Sequence, residues 1–447
     1  MSVGLLVTST GLLLQLRISR HRNSDDAEQE PTMTNTIETL KPNVRSMSQP
    51  DRLHAARNLI PLIEAEADES EKLTHLTDKA ADAMLSAGLF HMLQPRELGG
   101  PQLSYVDAME VTELISWADG SAGWYVHVLN VVAASLGAYL PDKGAQRIYG
   151  DQRLTIAAGQ GVPRGQARRS DGGYLIRGPW SYGSCIYHAE YYHAGCIVME
   201  NGKPKLGPTG TPEAVVCHFD KADGELKGNW DTIGLRGSGS YDYNVKATEL
   251  FIPDHMCYQF VGVPPQRGGN QYSIGIIGFT SWSHTGWALG VTRRALDEIA
   301  KLASGKFSVF GALGEGASFK QSYAEAESKF LSVRAFVYQV WNDICETLDR
   351  NEPASTEQIT LARMALRHVH DVGFEITNFA YRAGGGTALR PSVLQRTFRD
   401  MHAGTQHVLL SDQIYQECAR VLLGMTGKNP RWTGFGIVDD GPKEPKP

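Results

Sequence analysis

Cysteine is scarce and scattered in this chain of 447 residues: Cys185, Cys196, Cys217, Cys257, Cys345 and Cys418 form no Cys-x-x-Cys pair. That spacing suggests neither a zinc ribbon nor a disulfide framework, so the thiols are expected to be buried in a reducing, cytoplasmic setting. No long run of lysine and arginine occurs, and the formal net charge is -6. A nucleic-acid partner is not expected, because holding phosphates needs a concentrated basic face. The apolar stretch Val3 to Leu16 is shorter than the roughly 18 residues of a membrane span and has no basic segment before it, so no membrane association is expected. Gly234 to Gly239 and Gly384 to Gly386 complete no nucleotide fingerprint after a strand, which removes Rossmann and P-loop readings. His188-Ala189-Glu190 lacks the Pro-Cys-x-x-Cys of a deaminase zinc site, and His368 and His370, two apart on a helix, face different sides. No metal is expected.

What is present is an ordinary globular composition, 42% hydrophobic and 21% charged, long enough for two or three packed domains. Arg17 to Pro50 has the polar composition of a disordered tail, and Met33 and Met47 are alternative starts. Helical spacing runs from Leu53 to Ala87 as one helix or a broken pair, ending at Gly88; Ser104 caps a helix to Trp117; and Ser121 to Leu140, apolar all round, is expected to be buried. After Gly150 short β-rich runs alternate with turns: Leu154 to Ala158, Gly173 to Arg177, Tyr191 to Met199, Ala214 to Phe219 and Val245 to Phe251. Helical period returns over Thr280 to Ala303, Phe319 to Leu348, Thr356 to Arg382 and Leu394 to Leu423, a pattern for a four-helix bundle. The expected organisation is a tail (1–50), a helical domain (51–152), a central β domain (153–265), a helical bundle (266–425) and a carboxy-terminal tail (426–447).

Motifs in the same order carry a resemblance. Ala87-Gly88-Leu89, Pro95-Arg96-Glu97-Leu98-Gly99-Gly100, Glu113, Asp119-Gly120-Ser121, Trp180 to Ser184, Gly234 to Ser240 with Ile252-Pro253, and Arg399-Asp400 together resemble the acyl-CoA dehydrogenase superfamily over roughly Leu53 to Gly424. The resemblance implies an α+β fold with an amino-terminal helical domain, a central β domain and a carboxy-terminal four-helix bundle, and a homotetramer formed through the last helices. In many of these dehydrogenases a glutamate nine residues after the Arg of Arg-Asp removes a proton; here that position is Val408, which cannot. Beside it stands His407, in a string similar to the late histidine motif of flavin-dependent hydroxylases of this fold. Trp180-x-x-x-Ser184 is similar to their Trp-x-x-x-Ser, whose serine bonds flavin N5.

That branch implies the oxygenase component of a two-component monooxygenase. It takes FMNH2 or FADH2 from a separate NAD(P)H-flavin reductase and uses O2, through a C4a-hydroperoxyflavin, to hydroxylate an aromatic or heteroaromatic small molecule. The same alignment places the flavin against Trp124, Ala158, Gly159, Gln160, Trp180, Tyr182, Gly183, Ser184, Gly385 and Gly386, with Val128 and Val132 in the substrate pocket and His407 and Ser184 as catalytic groups. Phenol-hydroxylating relatives carry a histidine at the place of Val132, which argues against a simple phenol. The family's flavin-diphosphate motif is degraded in Ser304 to Gly311, leaving FMN and FAD both open. Arg396 and Arg399 read as structural ion-pair residues. Two other readings stand beside this one: a dehydrogenase with its base on another helix, and a flavin-binding homologue without catalysis.

Overall fold

In a computed structural model, the described residues are 47–440 apart from 208, 209, 261, 309, 310 and 435. Most of the expected amino-terminal tail and residues 441–447 lie outside them. Five helices come first: α1 (Gln49–Leu73), α2 (Asp78–Ser86), α3 (Tyr105–Ala118), α4 (Gly120–Tyr139) and α5 (Asp142–Tyr149). The stretch from Leu53 is the broken pair. Thr74 turns left-handed (φ 61°), ending α1, and the Thr77 hydroxyl accepts from Ala80 N to start α2. Helix α1 begins two residues inside the expected tail because Ser48 caps it through Asp51 N. Ser104 caps α3 through Asp107 N as its sequence promised. In α4 every residue is buried except Val128, which is half-buried, as an all-round apolar helix requires.

The β region contains β1 (Ala157–Ser170), β2 (Gly173–Arg177), β3 (Pro179–Gly183), β4 (Tyr191–Glu200), β5 (Lys203–Pro204), β6 (Ala214–Asp220), β7 (Gly224–Leu226), β8 (Tyr241–Val245), β9 (Leu250–Pro253) and β10 (Cys257–Gln259). One sheet has the order β10-β6-β4-β1-β2-β9, with β5 on β4, and a second is β3-β8-β7. Among the described residues only β1 and β4 pair in parallel, and their register shifts between Gln160 and Gly165. The run Val245 to Phe251 is two strands in different sheets rather than one.

Beyond lie α6 (Gly275–Gly305), the short β11 (Phe307–Ser308) and β12 (Gly311–Ala312), α7 (Ala317–Asp349), α8 (Thr356–Gly384), α9 (Gly386–Leu389), α10 (Val393–Gly404) and α11 (Gln413–Leu422). Helix α6 packs on α3, α4, α8 and α10, so the amino-terminal helices and the bundle share one core. The expected helix Leu394 to Leu423 is interrupted. Gly404 presses on Trp287, where a Cβ would fall 2.3 Å from the indole, and Arg367 Nη1 donates to Leu410 O, drawing the chain off axis. His407 sits in that interruption. Residues expected as a carboxy-terminal tail instead form a hairpin of β13 (Arg431–Trp432) and β14 (Ile437–Val438). The hairpin docks on α8, where buried Arg363 donates to Thr433 O and Gly434 O and Trp432 Nε1 donates to Thr360 Oγ1. Among the described residues no helix is long and apolar enough to cross a membrane, and no group of three His, Cys, Asp or Glu side chains is arranged to hold a metal ion.

Candidate active site

The site assembles where α4, α6, α8 and the α10–α11 turn meet the loop before β8. Trp124, one turn into α4, donates from Nε1 to Ser184 Oγ at 3.1 Å. Ser184 shares a hydrogen bond with Ser240 (2.7 Å), and Ser240 with Ser238 (2.8 Å), making a buried row of three hydroxyls. A serine oxygen has one donor and two acceptor positions. Trp124 and Ser240 use two of the three at Ser184, whichever serine donates. One position stays free for a ligand.

The other face of Trp124 meets imidazoles. Its ring centroid lies 5.0 Å from His127, 5.0 Å from His284, 5.1 Å from Trp287 and 6.1 Å from His407, all edge-on. His284, on α6, touches His127 (5.0 Å, stacked), His370 of α8 (4.3 Å) and His407 (4.9 Å). At His407, Nδ1 accepts from Leu409 N at 3.3 Å, so the neutral ring carries its proton on Nε2, which bonds nothing among the described residues. Burial lowers the His407 pKa from 6.5 to about 4, keeping the ring neutral at physiological pH. Burial also takes His370 to about 3 and His284 and His127 well below their ordinary value, helped by the neighbouring imidazoles.

No carboxylate enters this cluster. Among the described residues no Asp or Glu bonds Trp124, Ser184, His284, His370 or His407, and Val408 is half-exposed. His370 looks into this cluster while His368 is exposed, as two neighbours on opposite faces must be.

A buried carboxylate holds the three parts together. Asp400, on α10, accepts from Leu235 N at 2.6 Å, fixing the loop that carries Ser238 and Ser240. Its other oxygen abuts Gly120 at the start of α4, where a Cβ would fall 2.5 Å away. The same helix leads to His407, seven residues on. Burial, with Asp119 and Glu71 adding repulsion, raises the Asp400 pKa to about 7. Arg396 pairs with Asp68 and faces Asp119 at 3.7 Å, and Arg399 pairs with Glu71 at 2.8 Å, the structural ion pairs expected of them.

The remaining expected flavin residues divide. Gln160 is tied internally: its N donates to the Tyr243 hydroxyl and its Nε2 to Ser181 O, while Ala158 is buried. Gly159, at φ 151°, leaves no room for a side chain, since a Cβ would fall 2.1 Å from His193 O. Trp180 is fully buried, donating to Gly195 O and stacked on Tyr243 at 5.5 Å; it supports the strand and presents no face to a ligand here. Tyr182 stands at φ 61° with its ring 65% exposed, and Gly183 packs under Tyr243. Gly385 and Gly386 are exposed at the α8–α9 junction. They border a cleft of about 550 Å³ that contains Lys301, Lys306 and Thr387. Val132 is buried on α4 and Val128 half-buried. Sequence reasoning missed His284. The stretch Ser281-Trp282-Ser283-His284-Thr285 reads as a polar interruption of a buried helix, and that signal was available.

Helices, then β sheet, then bundle, in this order and packing, define the acyl-CoA dehydrogenase architecture. Residues 52–143 match the profile of the acyl-CoA dehydrogenase N-terminal domain and residues 282–412 that of its C-terminal domain. Indole-3-acetate monooxygenase of Pseudomonas putida is 29% identical over 364 residues, covering 80% of this chain and 90% of that protein. The oxygenase subunit HsaA of a flavin-dependent monooxygenase from Mycobacterium tuberculosis is 26% identical, covering 79% and 90%. The crystal structure of 3-HSA hydroxylase from Rhodococcus sp. RHA1 superposes with a TM-score of 0.76 at 23% identity, over 84% of this chain and 97% of that one. By both domain profiles the chain belongs to the acyl-CoA dehydrogenase superfamily, and the relatives it is similar to are named as flavin-dependent monooxygenases or their oxygenase subunits.

Proposed function

We infer that this protein is the oxygenase component of a two-component monooxygenase that hydroxylates an aromatic or heteroaromatic small molecule, taking FMNH2 or FADH2 from a separate NAD(P)H-flavin reductase. The carrying observation is the pairing of a prepared serine hydroxyl with a neutral imidazole, in a cluster that no carboxylate enters. The flavin, when bound, supplies the activation of O2. Ser184, with one bonding position free, fits a flavin nitrogen, and Tyr182 and Gly183 stand directly before it in the chain. His407 holds its proton at Nε2, facing away from the Leu409 amide, and so serves as a hydrogen-bond donor toward the oxygen that is transferred or released. The indoles of Trp124 and Trp287 with Val128 and Val132 exclude water, which strengthens both polar contacts. Lys301 and Lys306, the latter donating to Gly384 O, outnumber Glu298 in the cleft beside Gly385-Gly386, a balance that favours a flavin phosphate.

A dehydrogenase with a relocated base needs a carboxylate in this cleft, so the arrangement favours the oxygenase. Exposed apolar side chains on the last helices, Phe374, Leu389, Leu422 and Leu423, support a homotetramer, and six unpaired cysteines support a cytoplasmic protein. The test is to saturate the protein anaerobically with FMNH2 or FADH2, mix it with oxygen and an aromatic panel, and follow oxygenated product, peroxide and absorbance. Product from one of these flavins is expected. Bleaching of tightly bound flavin by an acyl-CoA, with no oxygenated product, would reverse the assignment.

A further inference from the structure

His284 is the one histidine among the described residues with both ring nitrogens buried and without a hydrogen-bond partner, and His370 Nε2, in the adjoining ring, is in the same state. Buried polar atoms are ordinarily paired, so three orphans in two touching rings mark a place where something else bonds.

The polarity of that place follows from its fixed ends. His370 Nδ1 lies 2.8 Å from Leu366 O, and a carbonyl only accepts, so Nδ1 bears the proton and Nε2 a lone pair. Ser283 donates to Phe279 O, so His127 Nδ1 is the donor in its 2.5 Å contact with Ser283 Oγ, leaving a lone pair on His127 Nε2. His407 keeps its proton on Nε2, and neutral His284 has one N–H and one lone pair. Over the three orphaned nitrogens of His284 and His370, one N–H meets two lone pairs. The nearest indole N–H groups cannot make up the difference, because Trp124 donates to Ser184 and Trp287 to Gly120 O. The cluster is one hydrogen-bond donor short.

We propose that His284, backed by His370, is a substrate subsite that accepts a hydrogen bond from an O–H or N–H carried directly on the substrate's aromatic ring. The proposal rests on the monooxygenase reading and adds the chemical class of substrate. A carboxylate or thioester carbonyl brings only acceptors to a place already rich in them. A ring-borne N–H or O–H completes the count, and sharing its proton with a neutral imidazole pushes electron density into the ring that receives oxygen.

The test uses two matched probe pairs, indole with 1-methylindole and phenol with anisole, titrated calorimetrically into the full chain with reduced FMN and, separately, reduced FAD present. Wild type is expected to bind the donor member of at least one pair about tenfold more tightly than its methylated partner. His284→Phe should erase that preference, and His284→Gln, which keeps an acceptor oxygen, should retain part of it. Equal binding within both pairs, no binding of any probe, or a preference that survives His284→Phe overturns the subsite. Product formation with reduced flavin and O2 is measured in parallel on the same wild-type preparation. Turnover without donor preference rejects the subsite alone, whereas absent turnover and absent reduced-flavin binding reject the monooxygenase reading itself.

Discussion

The two sides of Trp124 are built differently. On its Ser184 side every group has a partner: an indole N–H, three serine hydroxyls and a loop pinned by Asp400 form a closed set with one position left over. On the His284 side three imidazole nitrogens have none. A satisfied network fixes one geometry, which suits a cofactor that is the same in every turnover. An unsatisfied one gains a bond only when a ligand arrives, which suits the variable partner.

The largest expected effect probes the imidazole side through acid. His370 has a folded pKa of about 3 against 6.5 when unfolded, so between those values the unfolded chain binds a proton that the folded chain does not. Stability from this group is therefore full above 6.5 and lost as pH falls toward 3, on the order of 5 kcal/mol for a shift of this size. Asp400, raised to about 7, acts in the opposite sense between its ordinary 3.8 and 7, gaining stability as pH falls. The comparison of wild type with His370→Gln by chemical denaturation from pH 7 to pH 4 isolates the histidine. The variant should show the shallower acid loss, and parallel curves would remove the imidazole contribution.

Next is the pin. Asp400→Ala strands the buried Leu235 N, so a loss of about 1–3 kcal/mol is expected. Asp400→Asn keeps an acceptor and should lose clearly less, as urea unfolding would measure. His407→Ala should lower the yield of oxygenated product per reduced flavin by about 100-fold. Reduced-flavin affinity should stay within about threefold, because this residue belongs to the other side. Ser184→Ala should do the converse on a smaller scale, weakening reduced-flavin binding about tenfold by leaving Trp124 Nε1 and Ser240 short of a partner. Its preference between indole and 1-methylindole should be unchanged; a shift there would mean that the two sides are not independent.

The order of elements, the Ser104 cap and the burial of α4 were legible because periodicity and capping are local. Ser184 and His407 were legible through motif register. The interruption holding His407 was not, since it comes from Gly404 against Trp287 and from Arg367 reaching Leu410 O, contacts between distant positions. His284 escaped for the same reason. Its neighbours Ser281, Ser283 and Thr285 return their hydroxyls to carbonyls four residues back, and only packing reveals that the imidazole has no such outlet.

The hairpin Arg431–Val438 has a consequence for biosynthesis. Arg363 lies sealed in α8 and finds its acceptors at Thr433 and Gly434, about seventy positions later in the chain. During translation that cation waits without these acceptors until the hairpin has been made, so α8 cannot settle fully before β13 and β14 exist. Truncated products should fall to cellular proteolysis.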